Sequence, residues 1–261
     1  MTASPRSIDR FRAVLVMLAT VAMIAVNYLA AAGSINASTP DEVSLRYPTI
    51  ITPANYSFSV WALIYAGLLA FSVYQLLPRN IEKYRQIRIT YLGSCVLNAA
   101  WIYFWHYDRV AVCFGIILLL CACLFLINRF LRTSKSAGEY WLVNGPFGIY
   151  FGWITAAMLV NFAVLLVSWK FPISPSTWTV VGVTLVLFAG ILGIVMRIRL
   201  ANYFYPLAIA WALTAIAVNQ GANTPIVLAT AISVVGCLIA TLSFVLKLPD
   251  SSSRVSINEQ R

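Results

Sequence analysis

The sequence predicts an all-α integral membrane protein with eight transmembrane helices. Three observations support this prediction: the composition, the spacing of the charged residues, and the distribution of lysine and arginine. Of the 261 residues, 61% are hydrophobic and 10% are charged, and the mean hydropathy is +0.84. Soluble domains contain about 25% charged residues, so this composition is typical of a chain that lies mostly within a lipid bilayer.

The uncharged stretches define the predicted spans. Runs without Asp, Glu, Lys or Arg occupy residues 13–40, 47–78, 89–107, 110–128, 140–169, 171–196 and 200–246. A span needs about 20 apolar residues, so six of these runs fit one helix each. The last run is interrupted by the turn-forming sequence NQGANTP at 219–225, and it therefore contains two helices. The predicted spans are 13–32, 54–77, 88–107, 110–130, 141–168, 177–196, 201–219 and 225–246.

The positive residues indicate the orientation, because Lys and Arg accumulate in cytoplasmic segments. With the N-terminus inside, fifteen of the eighteen Lys and Arg residues lie in inner segments, and Arg46, Arg109 and Lys170 lie outside. This asymmetry predicts an N-in/C-in topology in the cell membrane, with an organelle membrane as the alternative. Residues 1–12 and 247–261 would be cytoplasmic. The net charge of +10 is then explained by the topology and by attraction to anionic lipid. We expect no nucleic acid as partner.

Several classes of chemistry have no support in the sequence. Proton relays and ion coupling usually require charged residues deep in the membrane, and the predicted spans place none there. The five cysteines lie inside predicted spans without a CxxC pair, and no zinc, phosphate-loop or Ser/His/Asp motif is present. We therefore expect no metal, no required cofactor, no catalytic residues and no enzyme. His106 is expected at the outer membrane interface, beside Trp105 and Tyr107, with a pH-sensitive gate next to Asp108 as the alternative.

Aromatic and amide side chains share one face on three of the predicted helices. On a helix, positions three, four and seven apart lie on the same side. The three faces are Phe58, Trp61, Tyr65 and Ser72; Tyr91, Cys95, Asn98, Trp101 and Trp105; and Pro146, Tyr150, Trp153, Ala157 and Asn161. Such faces suit a planar amphipathic ligand, which would stack on the rings and bond to the amides. The alternative is ordinary packing, because Trp and Tyr gather at membrane interfaces and Asn and Ser join helices.

Three segments resemble the TspO family of tryptophan-rich sensory or translocator proteins. The first is PANYSFSVWALIYAGLLAFSVYQ at 53–75, with Pro, Phe, Trp and Tyr in the family's order. The second, YLGSCVLNAAWIYFWHYDR at 91–109, is similar through its Asn and Trp. The third, GPFGIYFGWITAAMLVNF at 145–162, is similar to the family's last helix. The loop at 38–53 departs from the family because it contains no Trp.

The resemblance implies a five-helix bundle over residues 13–170. It also implies a hydrophobic ligand, foremost a bound tetrapyrrole such as protoporphyrin or haem, for sensing, handling or transport. Carried over by position, the ligand-binding residues are Phe58, Trp61, Tyr65, Asn98, Trp101, Tyr150, Trp153, Ala157 and Asn161. Three alternatives remain: a transporter of a small neutral solute, a ligand-free membrane scaffold or assembly factor, and an enzyme that degrades tetrapyrroles.

Residues 171–246 form a three-helix membrane extension that a five-helix bundle does not include. The segment WALTAIAVN at 211–219 shares the spacing of Trp and Asn with WITAAMLVN at 153–161. Two interpretations are open: a second wall of the ligand site, or a unit that serves only packing. Gly148, Gly152 and Ala156 recur every fourth residue, which predicts close contact with a neighbouring span or with the partner in a homodimer.

Overall fold

The computed structural model describes residues 5–133 and 136–243, and every regular element within these ranges is a helix. The prediction of an all-α protein is therefore confirmed for the part of the chain described. The long helices are α1 (Pro5–Ala31), α3 (Val60–Tyr74), α4 (Arg85–His106), α5 (Val110–Phe130), α7 (Gly145–Ser168), α8 (Pro175–Leu200), α9 (Phe204–Asn219) and α10 (Thr224–Leu242). The short elements are α2 (Pro40–Leu45), α6 (Ala137–Glu139), the 3-10 helices Asn55–Ser59 and Leu131–Thr133, and the π-helix Tyr140–Asn144.

Each predicted span coincides with one long helix. Six helical segments in the described ranges are long and apolar enough to cross a membrane. Helix α9 is apolar but has 16 residues, and α4 has 22 residues but is less apolar. The total of eight spans and the N-in/C-in orientation therefore stay predictions. The predicted tail at 247–261 lies outside the described residues, whereas residues 5–12 extend α1.

Side-chain caps, each followed by a proline at the first or second helical position, mark the starts of α8 and α10. Asn223 precedes α10, and its side chain accepts a hydrogen bond from the Ile226 amide at 3.3 Å. Ser174 precedes α8 in the same way and accepts from the Thr177 amide at 3.2 Å. Such caps satisfy backbone donors that have no partner within the helix. The break predicted at 219–225 is thus confirmed as the turn between α9 and α10.

Helix α7 lies between the first four long helices and the last three. It contacts α3 and α5 on one side and α9 on the other, while α4 lies between α1 and α5. Helices α8, α9 and α10 all contact one another. The extension is therefore packed directly against the helix that carries Tyr150, Trp153 and Asn161.

Two glycines on α7 allow α9 and the turn before it to approach closely. A methyl group at Gly152 would lie 2.8 Å from the Ala208 Cβ and closer still to the Tyr205 carbonyl oxygen. A methyl group at Gly148 would overlap the side chain of Asn202. The Gly148–Gly152 stripe therefore faces a neighbouring span of the same chain, which is one of the two contacts that its spacing predicted.

His106 ends α4, as the sequence predicts, but it is not an exposed interface residue. Its side chain is fully buried, and its Nδ1 donates to the Ile102 carbonyl at 2.7 Å. Trp105 is also buried and donates to the Pro40 carbonyl at 3.1 Å. The segment after α1 folds over the end of α4, where the Asn36 amide donates to the His106 carbonyl at 2.7 Å. A local sequence pattern does not contain this tertiary contact.

A buried ionic cluster lies at the opposite end of α4. Arg88 is completely buried, and its Nε donates to the Gln75 Oε1 at 2.9 Å. Its Nη1 lies 3.8 Å from a carboxylate oxygen of Asp9, which also pairs with Arg85. The nearby Asp9 carboxylate offsets part of the cost of burying the Arg88 charge. The cluster joins the start of α1 to α3 and α4.

Candidate ligand-binding site

All nine ligand-binding residues predicted from the sequence line one cavity. The cavity lies between α1, α3, α4, α5, α7 and α9, towards the end of the bundle that the charge distribution predicts to be outside (called the outer end). The nine residues are Phe58, Trp61, Tyr65, Asn98, Trp101, Tyr150, Trp153, Ala157 and Asn161. Their common location is a geometric finding, and ligand binding by them stays a prediction.

Aromatic rings form most of the wall. The Phe58 ring meets Trp61 edge to face, with centroids 5.4 Å apart, and it meets Trp153 at 6.1 Å. On α4, Trp101 and Trp105 stack with centroids 5.3 Å apart and planes 16° apart. These arrangements are the ones that aromatic side chains prefer. The rings thus hold one another in place and present ring faces and edges to the cavity.

A chain of neutral polar groups forms the base of the cavity. The Asn27 amide donates to the Asn98 Oδ1 at 2.7 Å, and the Asn98 amide donates to the Tyr150 hydroxyl at 2.9 Å. Nearer the outer end, the Trp101 indole donates to the Asn161 Oδ1 at 3.1 Å. None of the described residues that line the cavity is Asp, Glu, Lys, Arg or His. The site can therefore offer neutral hydrogen bonds but no ion pair.

The free space inside the cavity is small. It amounts to about 60 Å³, which is room for a few water molecules. A groove of about 450 Å³ lies beside it between α1 and α3. The cavity and the groove share Asn27, Phe58, Trp61 and Tyr65 as lining residues. These four side chains therefore border both spaces, and the groove by itself has the size that usually holds a small molecule.

Packed side chains fill the core on the inner side of this cavity. Phe71, Tyr91 and Phe147 are fully buried and pack edge to face, with centroids 4.8–5.5 Å apart. The Tyr91 hydroxyl lies 2.8 Å from the Thr20 hydroxyl, which lies 2.7 Å from the Ser72 hydroxyl. The cavity is thus closed towards the inner end by a well-bonded aromatic cluster.

The outer end of the cavity is covered by the chain between α1 and α3. Ser44 of α2 and Pro53 both line the cavity from this side. Arg46 and Tyr47 fix the cover to the turn after α4, because both bond to the Asp108 carboxylate, at 2.7 and 3.1 Å. Partial burial, and next the Asp108 charge, raise the pKa of Tyr47, so its hydroxyl stays protonated and continues to donate.

Sequence reasoning did not assign several of the lining residues to the site. They include Asn27, Ser44, Pro53, Trp105, Ala212 and Ile216. Trp105 carried a usable signal, because it follows Trp101 by four residues and shares its helix face. Ala212 and Ile216 carried none, because alanine and isoleucine are common throughout this chain. The segment 211–219 that contains them did attract notice through its Trp and Asn spacing.

Comparison with protein families gives one match. The family model described as TSPO-like protein matches residues 13–244, which include the predicted extension as well as the predicted five-helix bundle. Comparison with curated proteins and with solved structures gives no match. Together with the six long apolar helices, the family match identifies an integral multi-pass membrane protein.

Proposed function

We propose, from the premise that the chain belongs to the TSPO-like protein family, that it binds a planar hydrophobic ligand in the cavity between α3, α4 and α7. The ligand class that we propose first is the tetrapyrroles, such as protoporphyrin or haem. The protein would sense, handle or transport this ligand in the cell membrane. We propose eight spans and an N-in/C-in topology, with residues 171–246 as part of the same membrane unit.

The observation behind this proposal is the pairing of aromatic walls with an uncharged amide base. Phe58, Trp61 and Trp153 offer ring surfaces, and stacked or edge-to-face aromatic pairs contribute about 0.5–1.5 kcal/mol each beyond the area they bury. Asn98 and Asn161 offer amide groups that can bond to a polar edge of the ligand. A few fixed polar groups in an apolar pocket are the usual means of orienting a small molecule.

The size of the cavity requires the wall to move on binding. About 60 Å³ is far below the roughly 300 Å³ at which small-molecule pockets begin. Trp61 and Phe58 separate the cavity from the neighbouring groove, so their rotation is the smallest change that would admit a large ring. We therefore expect binding to be slower than diffusion and to alter tryptophan fluorescence.

The charge of the ligand provides a second expectation. An unpaired carboxylate is costly to bury, and the cavity has no cationic lining residue among those described. The two propionates of protoporphyrin must therefore stay outside the lined space. Protoporphyrin dimethyl ester, which has no carboxylate, should bind at least as tightly as protoporphyrin IX. A strong preference for the free acid would instead indicate a cationic site and would contradict this placement.

The test is an equilibrium titration of the purified protein with protoporphyrin IX. Saturable binding should weaken about 2- to 10-fold in Trp61→Phe and in Trp153→Phe, because the smaller ring gives up much of the aromatic contact with the ligand. Trp169→Phe is the control, because Trp169 is 59% exposed and does not line the cavity. Binding that does not saturate, or that responds equally to all three variants, would show that the cavity is not the site.

The alternatives predict other outcomes. Proteins of the TspO type are generally not enzymes, and we assign no reaction to this chain. A transporter of a small solute needs a route through the inner half, which the cluster of Phe71, Tyr91 and Phe147 occupies. Solute uptake into proteoliposomes would favour that role. Capture of a stoichiometric partner without any ligand binding would favour a membrane scaffold.

A further inference from the structure

We propose that α9, in the predicted extension, is a working part of the ligand site. Its Ala212 and Ile216 would set the depth of the cavity. Its Trp211 and Asn219, together with Gln220 just after it, would hold the cap segment, residues 49–59, over the outer opening. This inference rests on the proposed function, because it assigns to α9 a role in selecting the size of the ligand. It makes the size selectivity of the site a property of the eight-helix chain.

The first observation is that α9 supplies part of the cavity wall. Ala212 and Ile216 are both 3% exposed, lie one turn apart, and line the cavity together with Phe58 and Trp153. Helix α9 reaches this position because Gly152 on α7 leaves room for its backbone. A larger residue at 212 would project into the cavity, and a smaller residue at 216 would enlarge it.

The second observation is that α9 bonds to the cap segment at four points. Its side chains donate to three backbone carbonyls: Trp211 to Ser57 at 3.1 Å, Asn219 to Thr52 at 2.9 Å, and Gln220, just after α9, to Thr49 at 3.3 Å. In the opposite direction, the Ala54 amide donates to the Ala215 carbonyl at 3.0 Å. The Tyr56 ring also packs edge to face on Trp211, with centroids 5.4 Å apart.

The position of these bonds connects the cap to the cavity. The cap segment contains Pro53 and Phe58, which line the cavity, and it leads directly into α3 with Trp61. The side chains whose movement would enlarge the cavity are therefore attached to a segment that α9 holds. Trp211 and Asn219 are the two residues whose spacing in the segment 211–219 matches that of Trp and Asn at 153–161. Both form this attachment.

The wall is tested with two planar probes of different size, protoporphyrin IX and the three-ring 1-aminoanthracene. Ala212→Leu adds three carbon atoms beside a free space of about 60 Å³. It should lower protoporphyrin affinity by at least about fivefold, which is the smallest loss expected from an overpacked contact. It should lower the affinity for the smaller probe much less. Ile216→Ala should shift the preference towards protoporphyrin. Ala217→Leu is the matched control, because Ala217 is on α9 but does not line the cavity.

The cap is tested by hydrogen exchange in the protein without ligand. Trp211→Phe retains a ring and removes the indole donor, so exchange of the amides at 49–59, including Ala54, should rise about fivefold. Asn219→Ala should act in the same direction, and Trp169→Phe should leave exchange unchanged. Unaltered exchange in both α9 variants would overturn the attachment of the cap.

The outcomes separate this inference from the proposed function. If the unaltered protein binds neither probe saturably, the proposed function fails, and the role of α9 in ligand selection fails with it. If the unaltered protein binds protoporphyrin but Ala212→Leu and Ala217→Leu behave alike, the cavity binds ligand and α9 does not select its size. A loss of affinity in Ala212→Leu that is equal for both probes would also overturn size selection, because it would indicate general damage to the fold.

Discussion

Replacement of Gly152 by alanine should separate α7 from α9. The added methyl carbon would lie 2.8 Å from the Ala208 Cβ, whereas carbon atoms pack best at about 3.5–4.0 Å. The same methyl group would meet the Tyr205 carbonyl oxygen, which belongs to the backbone of α9 and cannot rotate away. The two helices must therefore move apart by about 1 Å, which is the difference between the two carbon separations.

The magnitude follows from two opposing effects. Overpacking of a tight contact costs about 1–3 kcal/mol. Replacement of a glycine inside a helix by alanine stabilises the helix by about 0.5–1 kcal/mol. Gly93 is the matched control, because it lies inside α4 and a methyl group there has no atom within 4 Å. The helix effect is common to both variants, so Gly152→Ala should be less stable than Gly93→Ala by about 1–3 kcal/mol.

The assay is equilibrium unfolding in mixed detergent micelles with increasing dodecyl sulfate. Gly93→Ala should unfold at or above the midpoint of the unaltered protein, and Gly152→Ala should unfold below it. Equal midpoints for the two variants would refute the close packing of α7 and α9. They would also remove the structural basis for a cavity wall formed by α9.

Two further predictions concern the polar contacts. Asn98→Leu breaks the chain from Asn27 to Tyr150 and leaves both partners buried without that bond, so the same unfolding assay should show a loss of about 1–3 kcal/mol. No loss would mean that these bonds do not hold α1, α4 and α7 together. Asp108→Asn removes the ion pair with Arg46, in which the Asp108 side chain is 36% exposed and the Arg46 side chain is 40% exposed. Exposed pairs contribute at most about 1 kcal/mol, so the change should be small and should shrink further in high salt; a large, salt-independent loss would contradict this.

The sequence was sufficient to locate the helices. Charged residues cannot easily lie in hydrocarbon, so the uncharged runs had to coincide with the long helices. The turn signals at 219–225 were strong enough to divide the last run into α9 and α10. The aromatic faces of α3, α4 and α7 also met as expected, because helical spacing fixes which side chains share a face.

Contacts between distant segments were outside the reach of the sequence pattern. Trp105 and His106 have the composition of a membrane interface, yet the segment after α1 covers them through Asn36 and Pro40. Asn27 lies in an otherwise apolar helix, and its role is visible only when Asn98 is placed beside it. In each case the deciding partner lies more than 60 residues away in the chain.

The part of the cavity wall formed by α9 could not be predicted from the sequence either. Ala212 and Ile216 are ordinary residues of a membrane helix, and they line the cavity because α7 and α9 approach at Gly152. The glycine stripe predicted a close contact but did not identify the partner. The resemblance of three segments covered residues 13–170, and so it gave no reason to place residues of α9 in the site.

The measurement that tests the ligand site most directly is to map where a bound porphyrin oxidises the protein. Light absorbed by bound protoporphyrin IX converts dissolved oxygen to singlet oxygen, whose concentration is highest at the tryptophans in contact with the porphyrin. Mass spectrometry identifies the tryptophans that are oxidised first. The cavity predicts early oxidation of Trp61, Trp101 and Trp153, which line it. Oxidation that begins at Trp141 and Trp169, which are 64% and 59% exposed, would place the porphyrin on the surface and contradict the proposed site.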